Sequence, residues 1–309
     1  MSELRDVAIV GGGPAGLSAG IWLARYLHSV VLIDSGDPRN WATRSINGFL
    51  GLPRIQPPEL RELGRVDCRR YGVTLVDAIV DKVRKVGDEH FVLDLENGDR
   101  YEARRLVLAI GLRDSWPDIP GLEHVYGANA HVCPDCDGYE CLDKKTVVVG
   151  TGRKAVGLAL NLTTWTRDLI LCTNGEPPGF DQAEYCEKLD ALNVPVITDR
   201  ITRITTETKS REIYSLELDN GMCLDADKLF FAFGQHAADD LGAQLGCERD
   251  EDGQIIVNGQ YHTSVRDVFA AGDIVPGPQL AIAAASDGAM VALAIHKSLV
   301  PAERKLMPR

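Results

Sequence analysis

A glycine loop framed by an apolar strand and a helix occurs twice in this chain, and that duplication limits the available folds more than any other feature. The first copy runs from Asp6-Val-Ala-Ile-Val-Gly11 through Gly11-Gly12-Gly13-Pro14-Ala15-Gly16. It continues with helix-compatible spacing to Tyr26 and a second apolar run, Ser29-Val-Val-Leu-Ile-Asp34. Continuous rather than alternating apolar strands suit a parallel sheet covered on both faces. The second copy runs from Thr146-Val-Val-Val-Gly150 into Gly150-Thr151-Gly152-Arg153-Lys154-Ala155, a helix to about Trp165 and a strand at Asp168–Cys172. Two strand-helix-strand starts predict two nucleotide-fold domains.

A finer repeat supports duplication. Leu93-Asp-Leu-Glu-Asn-Gly98 is matched by Leu216-Glu-Leu-Asp-Asn-Gly221, each read as a hairpin with a type I′ Asn-Gly turn. Each is followed by an apolar strand ending in glycine, Leu106–Gly111 and Leu229–Gly234. The last 70 or so residues start no third unit; they hold Val268-Phe-Ala-Ala-Gly-Asp273 and an Ala-rich helix from Gln279 to Leu299. They are expected to return to the first domain. The predicted fold is α/β, with two Rossmann-like, three-layer ββα domains, the second inserted into the first. The first domain is placed at 1–114 and 238–309, and the second at 115–237.

The chain's 309 residues suit two domains, and the net charge of −12 is spread without blocks of like charge. Nucleic acid is an unfavoured partner. The start runs straight into a strand pattern with no leader signature, and no 18-residue apolar run suggests a membrane span. A cytoplasmic enzyme is expected.

The first loop satisfies GxGxxG in its full context. Gly11 permits the tight turn, Gly13 lets backbone approach a pyrophosphate, and Gly16 allows close helix packing, with the helix N-terminus at Pro14 and Ala15 facing the phosphates. Asp34, ending the next strand, is placed to accept a ribose hydroxyl. The second loop has the GxGxxA form, but its strand ends in Leu171-Cys172-Thr173-Asn174-Gly175, with neither a terminal acid nor an arginine cluster. Arg153 and Lys154 offer phosphate contacts from the loop itself. A working nicotinamide nucleotide site and a retained fold with a lost site both stay open, so NAD(P)H is doubtful.

Of eight cysteines, one pair has functional spacing: Cys133-Pro134-Asp135-Cys136, followed by Asp137 and Gly138. One sulfur can attack a partner disulfide while the other resolves the mixed disulfide, and the adjacent carboxyl can move the proton. Zinc on His131, Cys133, Cys136 and Cys141 is disfavoured because no second CxxC is present, and no metal is expected. Cys68, Cys172, Cys186, Cys223 and Cys247 are read as simple buried thiols.

An N-terminal dinucleotide loop, an inserted second one with CPDCDG just before it, and a C-terminal Ala-Gly-Asp together resemble the low-molecular-weight thioredoxin reductases, from Val7 to about Leu299. The resemblance implies that the first loop and Asp34 hold FAD, that Asn47 and Gly111 lie near it, and that Gly272 and Asp273 meet its ribityl chain and phosphates. Gln279, Leu280 and Ala281 would meet the isoalloxazine. Cys136 would be the flavin-facing thiol, Cys133 the thiol that attacks the partner, and Asp137 the proton donor. The resemblance also implies a homodimer whose domains rotate.

Departures cluster on the nicotinamide side. Thr173-Asn174-Gly175 stands where the family has arginines for the NADPH 2′-phosphate, Gly157 where it commonly has an acid, and Pro278 where it often has an arginine before the glutamine. The expected activity is therefore electron transfer between FAD and a thioredoxin-like disulfide, with a donor other than NADPH, such as NADH or a protein donor, a reduced ferredoxin or flavin protein. The alternatives are a dithiol oxidase that passes electrons to oxygen, taking a small dithiol or protein, and a flavin-binding redox sensor.

Overall fold

The computed structural model describes residues 3–179, 183–207 and 210–305. These form two compact units, the described residues of 1–39, 49–113 and 235–309 in one and those of 40–48 and 114–234 in the other. The segment 40–48, assigned to the first domain on sequence, clusters with the second. A reason is visible in its backbone: Arg44 N–H donates to Gly127 O at 3.1 Å.

In the first unit the order of paired strands is Thr74–Asp77, Val30–Asp34, Leu4–Val10, Arg100–Leu108, His90–Leu95 and Val80–Gly87. Leu4–Val10 pairs in parallel with both Val30–Asp34 and Arg100–Leu108. Val268–Ala270 joins the far half of Arg100–Leu108, with Phe269 opposite Val107, completing seven strands. The apolar runs divide by parity. Ala8, Val10, Val31 and Ile33 face a layer that includes Phe91 and Leu93 of the antiparallel meander. Val7, Ile9, Val30 and Leu32 face Ala19 and Leu23 of the helix Pro14–Arg25 and Val291 and Ile295 of the helix Ala281–Leu299. Both faces are dry, which is why neither strand alternates.

The second unit repeats the plan. Val196–Ile197, Leu169–Cys172, Thr146–Val149, Lys228–Phe231 and Ala130–His131 form a parallel sheet. Val147, Val149 and Phe231 pack on the meander Ile201–Thr206, Ile213–Leu218 and Cys223–Leu224, whereas Val148, Leu171 and Phe230 pack on the helix Gly152–Leu162. Meander, parallel sheet and helix give each unit the predicted three layers.

The two Asn-Gly hairpins differ from the type I′ expectation. Only the glycines take positive φ, Gly98 at +89° and Gly221 at +84°. In each, the glycine N–H returns to the last strand residue, Leu95 O or Leu218 O, at 3.0 Å. The asparagine side chain accepts the N–H two residues on, Asn97 from Asp99 at 3.0 Å and Asn220 from Met222 at 2.8 Å. That local bond lets asparagine keep negative φ, and the extra residue becomes a glycine bulge.

Candidate active site

In the first unit the strand Leu4–Val10 ends at Gly11, whose N–H donates to Ile33 O at 2.8 Å. The helix starting at Pro14 has no side-chain cap, so the amides of its first turn are left for an outside acceptor. A side-chain carbon built on Gly13 meets nothing within 4 Å, so open space lies in front of those amides. One built on Gly16 would lie 1.9 Å from Gly11 O, which shows how tightly the helix packs on the loop. Such a cradle suits a pyrophosphate.

Asp34 is 6% exposed and already well supplied with donors. Gly12 N–H and Gly36 N–H reach one carboxylate oxygen at 3.1 and 3.3 Å, and Arg61 and Arg65 approach the other, Arg65 at 3.6 Å. Neither arginine was marked from sequence; both lie on the helix Pro57–Arg70, with no motif to announce them.

Gly272 and Asp273 are brought to the same place, since a side-chain carbon on Gly272 would lie 2.9 Å from that of Ala15. Gln254, buried and unmarked by sequence, donates to the carbonyls of Asp273 and Val275 at 2.8 Å each and fixes this loop. Arg39 Nη1 donates to Asp273 Oδ2 at 3.0 Å and to Gln279 Oε1 at 2.7 Å, and Nη2 to Gln235 Oε1 at 3.1 Å. Arg39 thus supplies a guanidinium to Gln279 from a distant segment, whereas the residue before that glutamine is Pro278. Leu280 precedes the helix Ala281–Leu299, which also lacks a side-chain cap. Gly111 accepts Ala238 N–H at 3.3 Å.

Open space before Gly13, two uncapped helix starts and a guanidinium held between Asp273 and Gln279 fit a phosphate-bearing dinucleotide with an anionic reduced form. An Arg39→Met variant, which leaves Asp273 and Gln279 without this donor, is expected to bind FAD about tenfold more weakly, the loss of roughly one charged hydrogen bond. Fluorescence titration of the apoprotein checks it.

In the second unit Cys133 and Cys136 form a disulfide. Cys133 precedes the short helix Pro134–Asp137, and its sulfur accepts Cys136 N–H at 3.1 Å. An amide aimed at that sulfur favours its thiolate once the bond is opened. Both cysteines are half-buried and Asp135 is exposed. Asp137 Oδ2 lies 3.3 Å from His131 Nδ1. Asn47 belongs to this unit, and its amide donates to Cys136 O at 3.4 Å, a contact with the redox motif that sequence did not foretell.

His131, weighed on sequence as a zinc ligand, thus faces a carboxylate, and among the described residues no group of three His, Cys, Asp or Glu could hold a metal ion. Burial pushes the Cys141 thiol up to about 11 and that of Cys68 up to about 12; it also raises Cys172 and Cys247. Those four are buried thiols, but Cys186 and Cys223 are exposed, contrary to expectation. They sit on outward faces of a helix and a short edge strand.

The second glycine loop is closed by its own chain. Gly152 N–H, which would meet a pyrophosphate, donates to Pro178 O at 2.8 Å. The end of the preceding strand turns back as Thr173 Oγ1 donates to Glu176 O at 2.6 Å, while Asn174 Oδ1 accepts Ile201 N–H at 2.8 Å.

Residues 5–288 match the family model described as pyridine nucleotide-disulphide oxidoreductase. The chain belongs to that family. Among curated relatives, a thioredoxin reductase of Helicobacter pylori is 30% identical over 94% of this chain and 97% of its own. Among solved structures, HlmI superposes with a TM-score of 0.91 at 34% identity, covering 97% of this chain and 94% of that one. A putative thioredoxin reductase from Bacillus anthracis gives 0.89 at 28% identity, covering 97% and 100%. The protein is a thioredoxin reductase-like, FAD-dependent disulfide oxidoreductase of α/β fold. None of the helices in the described residues is long and apolar enough to cross a membrane.

Proposed function

We propose that the chain passes electrons between FAD and the disulfide of a thioredoxin-like protein through Cys136 and Cys133, using a donor other than NADPH. The observation that carries the donor assignment is the Gly152 N–H bonded to Pro178 O, which leaves the second loop's central amide engaged by its own chain. The absence of an arginine cluster at Thr173-Asn174-Gly175 supports the same conclusion.

Gly11, Gly13, Pro14, Ala15, Gly16 and Asp34, with Gly111, Gly272, Asp273, Gln279, Leu280 and Ala281, would hold FAD, which when bound would supply the two-electron exchange with the cysteine pair. Asn47 acts from the cysteine side, through the Cys136 carbonyl. The Cys133 thiolate attacks one sulfur of the partner disulfide, and the other partner sulfur leaves as a thiolate. Cys136 gives its proton to Asp137 and attacks Cys133 Sγ, releasing the second partner thiolate and restoring the internal disulfide. The partner gains two electrons, which the cysteine pair loses.

A second direction is favoured by the same closed loop, since it needs no nicotinamide nucleotide. A dithiol, small or in a protein, opens the Cys133–Cys136 bond and is oxidised, and oxygen is the final acceptor. Anaerobic stopped flow separates the two. NADPH is expected to leave the flavin absorbance unchanged over many turnovers' time; rapid bleaching by NADPH would sink the donor proposal. Bleaching by a reduced protein donor or by NADH, with slow return in air, marks a reductase. Bleaching by a dithiol, with fast return and peroxide release in air, marks an oxidase. We take the working form to be a cytoplasmic homodimer on the strength of the resemblance, which sedimentation equilibrium and cell fractionation address.

A further inference from the structure

Two residues before Cys133, the strand Ala130–His131 ends in an imidazole that the redox chemistry described above does not use. His131 is 6% exposed, and its backbone is fixed by pairing with Phe230, whose ring centroid lies 5.3 Å from its own. The two ring nitrogens have different surroundings. Nδ1 stands 3.3 Å from Asp137 Oδ2, whereas Nε2 is buried with no hydrogen-bond partner among the described residues. A buried polar ring with one bare nitrogen is costly to retain, and the other nitrogen lies beside the carboxyl that follows Cys136.

Other ionisable groups surround the pair. Lys228, on the adjoining strand, donates to Asn129 Oδ1 at 2.7 Å, and burial pulls its pKa down against the nearby charges of Cys141, Glu140 and Asp137, with Arg44 acting in the same direction as burial. Glu140 and Cys141 come from the turn after the redox helix; Glu140 Oε2 is buried without a partner, and Cys141 Sγ donates to Asp137 O at 3.7 Å. Asp137 therefore sits at the edge of a largely buried polar cluster, with His131 Nδ1 3.3 Å from its carboxylate.

We propose that His131 is a positioning residue for the redox cysteines: its imidazole orients the Asp137 carboxyl and holds, jointly with it, the proton exchanged with Cys136. This rests on the assignment of Asp137 as proton donor. When a dithiol's thiolate attacks Cys133 Sγ, a new S–S bond forms to the dithiol and the Cys133–Cys136 bond breaks. The attacking sulfur is oxidised, and Cys136 leaves as a thiolate. The proton shared by His131 and Asp137 then passes to Cys136, leaving a neutral imidazole beside an ionised carboxylate. In the reverse exchange the Cys136 thiol returns that proton to the pair.

The test is the rate at which excess dithiothreitol opens the Cys133–Cys136 disulfide of the holoenzyme. It is read by acid quench, alkylation and mass spectrometry from pH 5 to 9 in the parent, H131A, H131Q, D137N and the double variant H131A/D137N. Melting curves confirm that each variant is folded, and H131Q keeps polar bulk should H131A fold poorly. Expected is a rate about tenfold lower at neutral pH in both His131 variants, a fraction of what a full general acid contributes. One ionisation should also vanish from the pH profile, and H131A should cost nothing further in the D137N background. A parental pH profile in H131A and H131Q, or losses that add in the double variant, would overturn the assignment of His131. If D137N alone leaves rate and profile unchanged, the proton-donor assignment of Asp137 fails, and that failure is visible without reference to the His131 variants.

Discussion

A Cys133→Ser variant will hold FAD as tightly as the parent and turn over no disulfide, a fall of roughly 10⁴-fold or more, as for loss of a catalytic nucleophile. Serine is isosteric enough to keep the turn at Pro134–Asp137, but it cannot form the mixed disulfide through which both electrons pass. The flavin should be unaffected because the glycine loop, Asp34 and Asp273 are built on the first unit's own core, whereas Cys133 belongs to the second. Cys136→Ser should differ in a telling way. It keeps the attacking thiol and loses the resolving one, so a thioredoxin-like partner or small molecule supplied as its disulfide accumulates as a mixed disulfide on Cys133, visible by non-reducing electrophoresis or intact mass. Steady-state turnover together with flavin absorbance per chain reads both variants. A flavin-binding redox sensor would have no turnover to lose, so a measurable parental rate that vanishes in Cys133→Ser argues against that class as well.

The elements legible in the sequence are those set by local pattern. Continuous apolar strands such as Val7–Val10 and Val30–Ile33 announce a sheet buried on both faces, and the parity split of their side chains between two layers follows from strand geometry. The cysteine motif is equally local, and its disulfide needs no distant partner. Residues that act across long sequence separation carry no such signal. Arg39 reaches residues 196 to 240 positions away, and Arg61 reaches Asp34 over 27. No motif in the sequence marks either arginine.

The same limit applies to backbone groups. That Gly152 N–H is engaged by Pro178 O depends on where a loop carbonyl points, which no residue type encodes. The turn type at Asn97-Gly98 is hidden for a related reason: the pair permits two geometries, and the one adopted is chosen by an asparagine side chain bonding two residues on. Segment 40–48 joins the second unit through contacts of the same nonlocal kind. His131 stands out in the sequence by its spacing to the cysteines, but its neighbour is a carboxylate, so the residue is legible and its chemistry is not.

Gly11→Ala is expected to yield a chain that purifies nearly colourless, with FAD affinity lowered by roughly 10- to 100-fold, the equivalent of 1–3 kcal/mol of backbone strain. Gly11 has φ of +105°, a conformation an L side chain adopts only at a cost, and an added side-chain carbon would lie 2.2 Å from Ala109 O. That carbonyl cannot easily retreat, because Ala109 N–H is bonded to Val10 O at 2.8 Å within the sheet. The loop must move instead, and the movement draws Gly12 N–H away from Asp34 and disturbs the amides facing the pyrophosphate. Gly13→Ala separates this effect from loss of cofactor space. Gly13 has ordinary backbone angles, φ −76° and ψ −176°, and open space around it, so its alanine variant should melt like the parent apoprotein yet bind FAD poorly, because the methyl occupies the path of the phosphates. Melting of the two apoproteins and flavin fluorescence titration distinguish the cases. A Gly13→Ala chain that retains full flavin would show that the pyrophosphate does not approach the backbone there.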